Sequence, residues 1–231
     1  MATAERYVGG GVLRKEDPTL LTGQGTYVES ITLPGTVHVA FVRSPYGAAA
    51  IEGVDLSEAL AAPGVVAAFT GEDLAGEWAA GLPMAWPVTE DIRIPDHWPV
   101  AKGRARYVGD AVAVVVAGTR AQALDAAELV DVEYAEGPAV VDIPSAMREG
   151  APKVHERFEN NDCYTWSLTN GDVEAAFAKA DIVVKRSYTQ PRLIPNAMEP
   201  RAVVVQPLPA AGEFTVWSTT QIGRASCRER V

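Results

Sequence analysis

The run AVAVVVA, Ala111 to Ala117, limits this chain more than any other segment, because it is continuously apolar and largely β-branched between Gly109 and Gly118. At that length it is far too short to cross a bilayer. It is predicted to be a strand covered on both faces. Thr119 follows as an N-cap for a helix through Leu129, with Ala123, Ala126, Ala127 and Val130 at helical spacing. VDVEY, Val130 to Tyr134, then reads as another strand. Strand, helix and strand joined by short connections argue an α/β layer, so the predicted fold class is α/β or α+β.

The flanking sequence extends this pattern. TVHVAFV (36–42) and VVAAFT (65–70) read as strands, and LSEAL (56–60) reads as a short helix. Asp55 is its expected N-cap, with Glu58 completing a capping box, before Pro63 and Gly64 stop it. Residues 1–34 are broken by Gly9 to Gly11, Pro18, Gly23, Gly25 and Pro34, which predicts an extended lead-in. Trp78 to Trp98 shows neither strand nor helix periodicity and is expected to be a long loop. A Pro-containing connector at 138–152 marks the expected domain boundary. Beyond it, a helix at 173–180 capped by Asp172 and strands at 182–188, 202–206 and 213–218 are predicted.

Composition removes several classes of function. The net charge is -10, with basic residues scattered singly among carboxylates, so nucleic acid and anionic membrane are not expected partners. The start, MATAERYVGGGV, shows no cationic stretch followed by an apolar core, and cytoplasm is the expected compartment. Residues 222–231, IGRASCRERV, break from everything before them and match a translated sequencing adapter residue for residue. They are read as an artefact, and what precedes them as the front part of a longer product. Setting them aside leaves Cys163 as the remaining thiol, too few for a disulfide or an iron–sulfur site.

No self-contained catalytic machinery stands out. TGQGTY (22–27) has two glycines of a dinucleotide fingerprint, but Val28 replaces the third and a Gly-rich turn is the better reading. His38, His97 and His155 are far apart in sequence and lack metal-ligand spacing. NAMEPRA (196–202) places Glu199 and Arg201 around a proline just before an apolar strand. They are expected to form a partly buried, hydrogen-bonded pair that fixes a turn, which is a structural role.

Several segments together resemble one family. LRKEDPTLLTGQGTY (13–27), LPGTVHVAFVRSPY (33–46), APGVVAAFTGEDL (62–74), RYVGDAVAVVVA (106–117), DAAELVDVEY (125–134), GDVEAAFAKADIVV (171–184), NAMEPRA and WSTTQ (217–221) follow, in order and spacing, the pattern of a molybdenum-cofactor-binding large subunit. That subunit belongs to the xanthine dehydrogenase, aldehyde oxidase and carbon monoxide dehydrogenase family. The resemblance covers about residues 5–221. It departs at Gly47 to Ala49, where the family often has Ala-His-Ala, and at Glu29-Ser30, where an acidic pair is usual.

The resemblance implies an extended lead-in over 1–21, an a/b hammerhead domain over 22–142 and the opening of the first molybdopterin-binding domain over 150–221. It implies that Gln221 lies beside the molybdenum and donates a hydrogen bond, while the general-base glutamate lies downstream. It further implies oxidative hydroxylation of an aldehyde, N-heterocycle or related substrate with a molybdopterin cytosine dinucleotide cofactor. Electrons would leave through a 2Fe-2S small subunit and an FAD-binding medium subunit. The residues by themselves also allow a non-catalytic α/β binding or interaction module.

Overall fold

The structure is a computed structural model that describes residues 9–11, 13–82, 89–191, 193–194, 196–197 and 199–219. Its described residues fall into two compact units, one drawn from 35–184 and the other from 1–34 together with 185–231. In chain order the elements are α1 (Asp17–Leu21), a 3-10 turn (Val28–Ser30), β1 (His38–Arg43), β2 (Ala49–Asp55), α2 (Ser57–Ala61), β3 (Val65–Thr70), α3 (Gly71–Leu74) and β4 (Arg104–Ala105). These are followed by β5 (Ala111–Ala117), α4 (Arg120–Ala127), β6 (Asp131–Glu136), α5 (Ile143–Ala146), α6 (Val173–Ala178), β7 (Val203–Leu208) and β8 (Glu213–Ser218).

The larger unit is built around β5. It lies between β1 and β3 in an antiparallel sheet, and every residue of it except Val116 is buried. Val115 and Ala117 face the helices, where Ala59 of α2 and Ala123 and Ala126 of α4 pack against them. Val112 instead joins Ala101, Ala105, Ile51, Val132 and Tyr134 in a second core beneath the sheet β4-β2-β6. The single run AVAVVVA therefore serves two cores, which is why it carries no polar alternation. The small side chains of α4 allow close approach to the sheet, and Thr119 caps that helix by accepting from the Gln122 amide.

The connection from β5 through α4 to β6 does not form the single layer that its sequence suggests, because β5 and β6 lie in different sheets. All ladders among the described residues are antiparallel. The cap of α2 also differs from expectation. Asp55 accepts from the Ser57 amide at 2.8 Å, with no reciprocal bond from Glu58. The capping box sits at α3, where Thr70 and Asp73 exchange hydrogen bonds. Gly71 there passes so close to Ala101 that an added Cβ would lie 2.2 Å from its carbonyl oxygen.

Beyond β6, the chain stays tied to this unit further than the Pro-containing connector suggests. Arg104 pairs with Glu156, Arg157 with Asp96, and Arg93 with Asn160, each at 2.8 Å, and the Arg93 amide donates to the Cys163 carbonyl. After Cys163 the ties thin out. Asp172 caps α6 as expected, but residues 182–188 form no ladder among the described residues, so the strand predicted there is absent. Ile182 is 82% and Val184 73% exposed.

In the smaller unit, β7 and β8 form an antiparallel hairpin around Gly212, whose φ of 65° suits its turn. The lead-in is not wholly extended: it contains α1, with Pro18 in its first turn, and the 3-10 turn Val28–Ser30.

Candidate functional site

Gln221, the residue implied to face the metal, lies outside the described residues. The protein frame leading toward it in sequence is the open end of the β7–β8 hairpin. There Thr219 clasps Ala202: its amide donates to the Ala202 carbonyl at 3.1 Å, and its Oγ1 accepts from the Ala202 amide at 2.9 Å. This extends the pairing one step past Ser218, immediately before the Thr220-Gln221 dipeptide.

Glu199 lies beside that clasp, partly buried, and its Oε1 accepts from the Val28 amide at 3.2 Å. The expected pairing with Arg201 is not formed, since no ion pair among the described residues joins them and Arg201 is exposed. The reason is local. Val28 opens the 3-10 turn, where the first N–H groups lack partners within the turn, and a carboxylate satisfies one of them strongly. Sequence spacing favoured Arg201 because it is near; an amide 171 positions away in sequence gave no signal.

The larger unit holds a groove of about 390 Å³ between β2 and the start of α3, with Gly103 and Val112 also lining it. Glu52, Glu72 and Asp73 line it as well, but Asp73 is committed to the capping box, whose bonds from Thr70 hold its carboxyl below the usual range. Groups of His, Cys, Asp and Glu able to hold a metal are absent among the described residues. The histidines stand apart: His38 opens β1, His97 lies 6.1 Å from the Tyr107 ring, and His155 lies 6.3 Å from that of Phe158. Burial, then the nearby Arg106 and Arg157, lowers the His155 pKa.

The sequence segments RSPY and RYVGD have a structural role in this unit. Ser44 is buried and its Oγ accepts from the Tyr46 amide, while its carbonyl accepts from the Gly109 amide. Asp110, also buried, accepts from the Arg106 amide at 3.0 Å. These bonds satisfy the polar groups of two turns that meet beside β5, with the Tyr46 and Tyr134 rings 5.2 Å apart edge to face.

No helix among the described residues is long and apolar enough to cross a membrane. Residues 22–138 match the family model for the aldehyde oxidase and xanthine dehydrogenase a/b hammerhead domain, and residues 154–228 match that for the molybdopterin cofactor-binding domain. The 6-hydroxypseudooxynicotine dehydrogenase complex subunit gamma of Paenarthrobacter nicotinovorans is 34% identical over 94% of this chain. The carbon monoxide dehydrogenase large chain of Afipia carboxidovorans is also 34% identical over 94% of it. In each case the chain spans 28% of the relative's length. The crystal structure of quinoline 2-oxidoreductase from Pseudomonas putida 86 superposes with a TM-score of 0.82 at 37% identity, covering 91% of this chain and 26% of that one. With its hammerhead match spanning half of the sequence and a molybdopterin-binding match behind it, the chain belongs to the aldehyde oxidase and xanthine dehydrogenase family of molybdenum hydroxylase large subunits.

Proposed function

We propose that this chain is part of the large subunit of a molybdenum hydroxylase that inserts oxygen into an aldehyde, N-heterocycle or related small substrate. The observation that carries the reading is the near-complete match, at 34% identity over 94% of the chain, to a subunit of an oxidising complex. The quinoline oxidoreductase and nicotine 6-hydroxylase among the relatives bear names that fit N-heterocycle chemistry, and the carbon monoxide enzyme shows that other substrates share the frame. The proposed layout is a lead-in over 1–21, the hammerhead domain over 22–142 and the opening of the cofactor domain over 150–221.

A molybdopterin group, in the cytosine dinucleotide form, supplies the redox chemistry when bound. Of this chain's residues, Gln221 is proposed to face it, since a primary amide can donate a hydrogen bond while keeping its carbonyl oriented by the protein. The Thr219–Ala202 clasp fixes the backbone two positions before that residue. Glu199 acts at one remove, anchoring the turn at Val28. Electrons are proposed to leave through a 2Fe-2S small subunit and an FAD-binding medium subunit in the cytoplasm. This rests on the words "subunit" and "large chain" in the relatives' names.

The test is Gln221→Ala in the enzyme assembled with its partner subunits. Turnover is expected to fall about 100-fold, the scale for losing one hydrogen-bond donor at developing charge, with molybdenum content unchanged. Unchanged turnover would remove Gln221 from the site. An assembled enzyme without molybdenum would remove the function. The 231-residue chain alone is expected to retain no molybdenum, because one amide cannot hold the cofactor.

A further inference from the structure

Residues 1–34 share a compact unit with 185–231, the far end of the chain. Within that unit the 3-10 turn Val28–Ser30 packs against β7. Tyr27, which precedes the turn, makes no side-chain bond to its first amides. Glu199 does so instead, its Oε1 accepting from the Val28 amide at 3.2 Å. A helical turn usually draws such an acceptor from the residue just before it. Drawing it from 171 positions away makes the bond a tie between two distant parts of the chain.

The tie continues toward the end of β8. Glu199 precedes Pro200, whose ring fixes its own φ and confines the Glu199 backbone to extended conformations. Ala202 is then gripped by Thr219 through both of its backbone groups. Its amide donates to Thr219 Oγ1 at 2.9 Å, and its carbonyl accepts from the Thr219 amide at 3.1 Å and from Oγ1 at 3.3 Å. Arg201, between them, is exposed and joins no ion pair among the described residues. One path, hydrogen-bonded at both ends and stiffened by a proline, runs from the lead-in turn to Thr219, and Gln221 follows two positions later in sequence.

We propose that Glu199 is a positioning residue for the reaction: held by the Val28 amide, it makes the lead-in a brace that sets the end of β8 and, through it, the direction of Gln221. The proposal rests on the reading of Gln221 as the residue that faces the cofactor. It gives the lead-in a part in the site without any contact to substrate. A carboxylate suits the task, because charge-assisted bonds to a backbone amide are roughly twice as strong as neutral ones.

Glu199→Ala in the assembled enzyme is expected to lower kcat about tenfold with KM and molybdenum content unchanged, since a misdirected Gln221 weakens contacts made in the transition state. Glu199→Gln keeps an oxygen that can accept from Val28 and is expected to stay within about threefold of the unmodified enzyme. In a Gln221→Ala background, Glu199→Ala should cost nothing further, as for two residues that act through one contact. Amide hydrogen exchange on the full chain reads the brace without turnover. Glu199→Ala should speed exchange about tenfold at Thr219, whose amide bonds Ala202 and not Glu199. Should that variant fail to fold by circular dichroism, Glu199→Asp, which keeps the charge and loses the reach, takes its place. Exchange that quickens at Val28 alone, or a further loss of kcat of the same size in the Gln221→Ala background, would overturn the proposal. Unchanged turnover in Gln221→Ala by itself would instead fail the reading of Gln221 and with it the role in the reaction, while exchange at Thr219 would still show whether the brace exists.

Discussion

Two apolar stretches of similar composition meet opposite fates in this molecule. AVAVVVA at 111–117 lies between two strands and under two sets of neighbours, with Val112 and Val115 almost wholly buried. DIVV at 181–184 is equally suited to a strand, yet it forms no ladder among the described residues and leaves Ile182 and Val184 largely in water. Strand propensity mainly measures how well a side chain fits a pleated, half-buried surface, and it has no effect until a neighbouring strand supplies that surface. The hammerhead unit contains its own neighbours. The segment at 181–184 finds none among the described residues.

The largest effects should come from substitutions that attack this contrast directly. Gly71→Ala would drive a methyl into the Ala101 carbonyl, and Val115→Ala would open a cavity beneath α4; each is expected to cost about 2 kcal/mol in chemical denaturation. Ile182→Ala is expected to cost no more than about 0.5 kcal/mol, because there is no burial to lose. An Ile182→Ala variant as damaging as Val115→Ala would show that 181–184 is packed after all.

Limited proteolysis should find the same division. Cleavage is expected first between Cys163 and Ala202, leaving a resistant product that ends near Cys163, because the Arg93, Arg104 and Arg157 contacts tie 156–163 to the hammerhead unit. A product ending near 150 would mean that those exposed pairs contribute nothing measurable.

Smaller effects follow from the caps and from one histidine. Thr70→Ala removes one half of the α3 capping box and should cost about 1 kcal/mol, with Thr119→Ala similar at α4. For His155, burial and two arginines lower the folded-state pKa below the unfolded ~6.5, so the unfolded chain takes up the proton first as the pH falls. Stability should therefore be full above pH ~7 and decline below ~6.5. Thermal melts of His155→Gln should lose that slope, and an unchanged slope would assign it to another group.

Much of the fold could be read because its signals were local. β3 runs over VVAAFT, β8 over 213–218, and the caps Thr119 and Asp172 lie where one side-chain oxygen meets one turn of helix. β2 escaped notice because AAIEGVD mixes alanine and glycine into its pattern and bulges between Ile51 and Gly53, so its strand character comes from β6 alongside. The separation of β5 and β6 into different sheets was equally hidden, since a strand-helix-strand sequence does not state which partners its strands will choose. Glu199 was expected to pair with Arg201, but the partner it has, the Val28 amide, depends on a long-range fold that spacing does not encode.

Amide hydrogen exchange on the full chain tests the contrast between the two stretches most directly. The amides of β5 that pair with β1 and β3 are expected to exchange only through global unfolding, whereas those of 181–191 should be fully exchanged at the earliest time point. Equal protection of the two stretches would contradict the account.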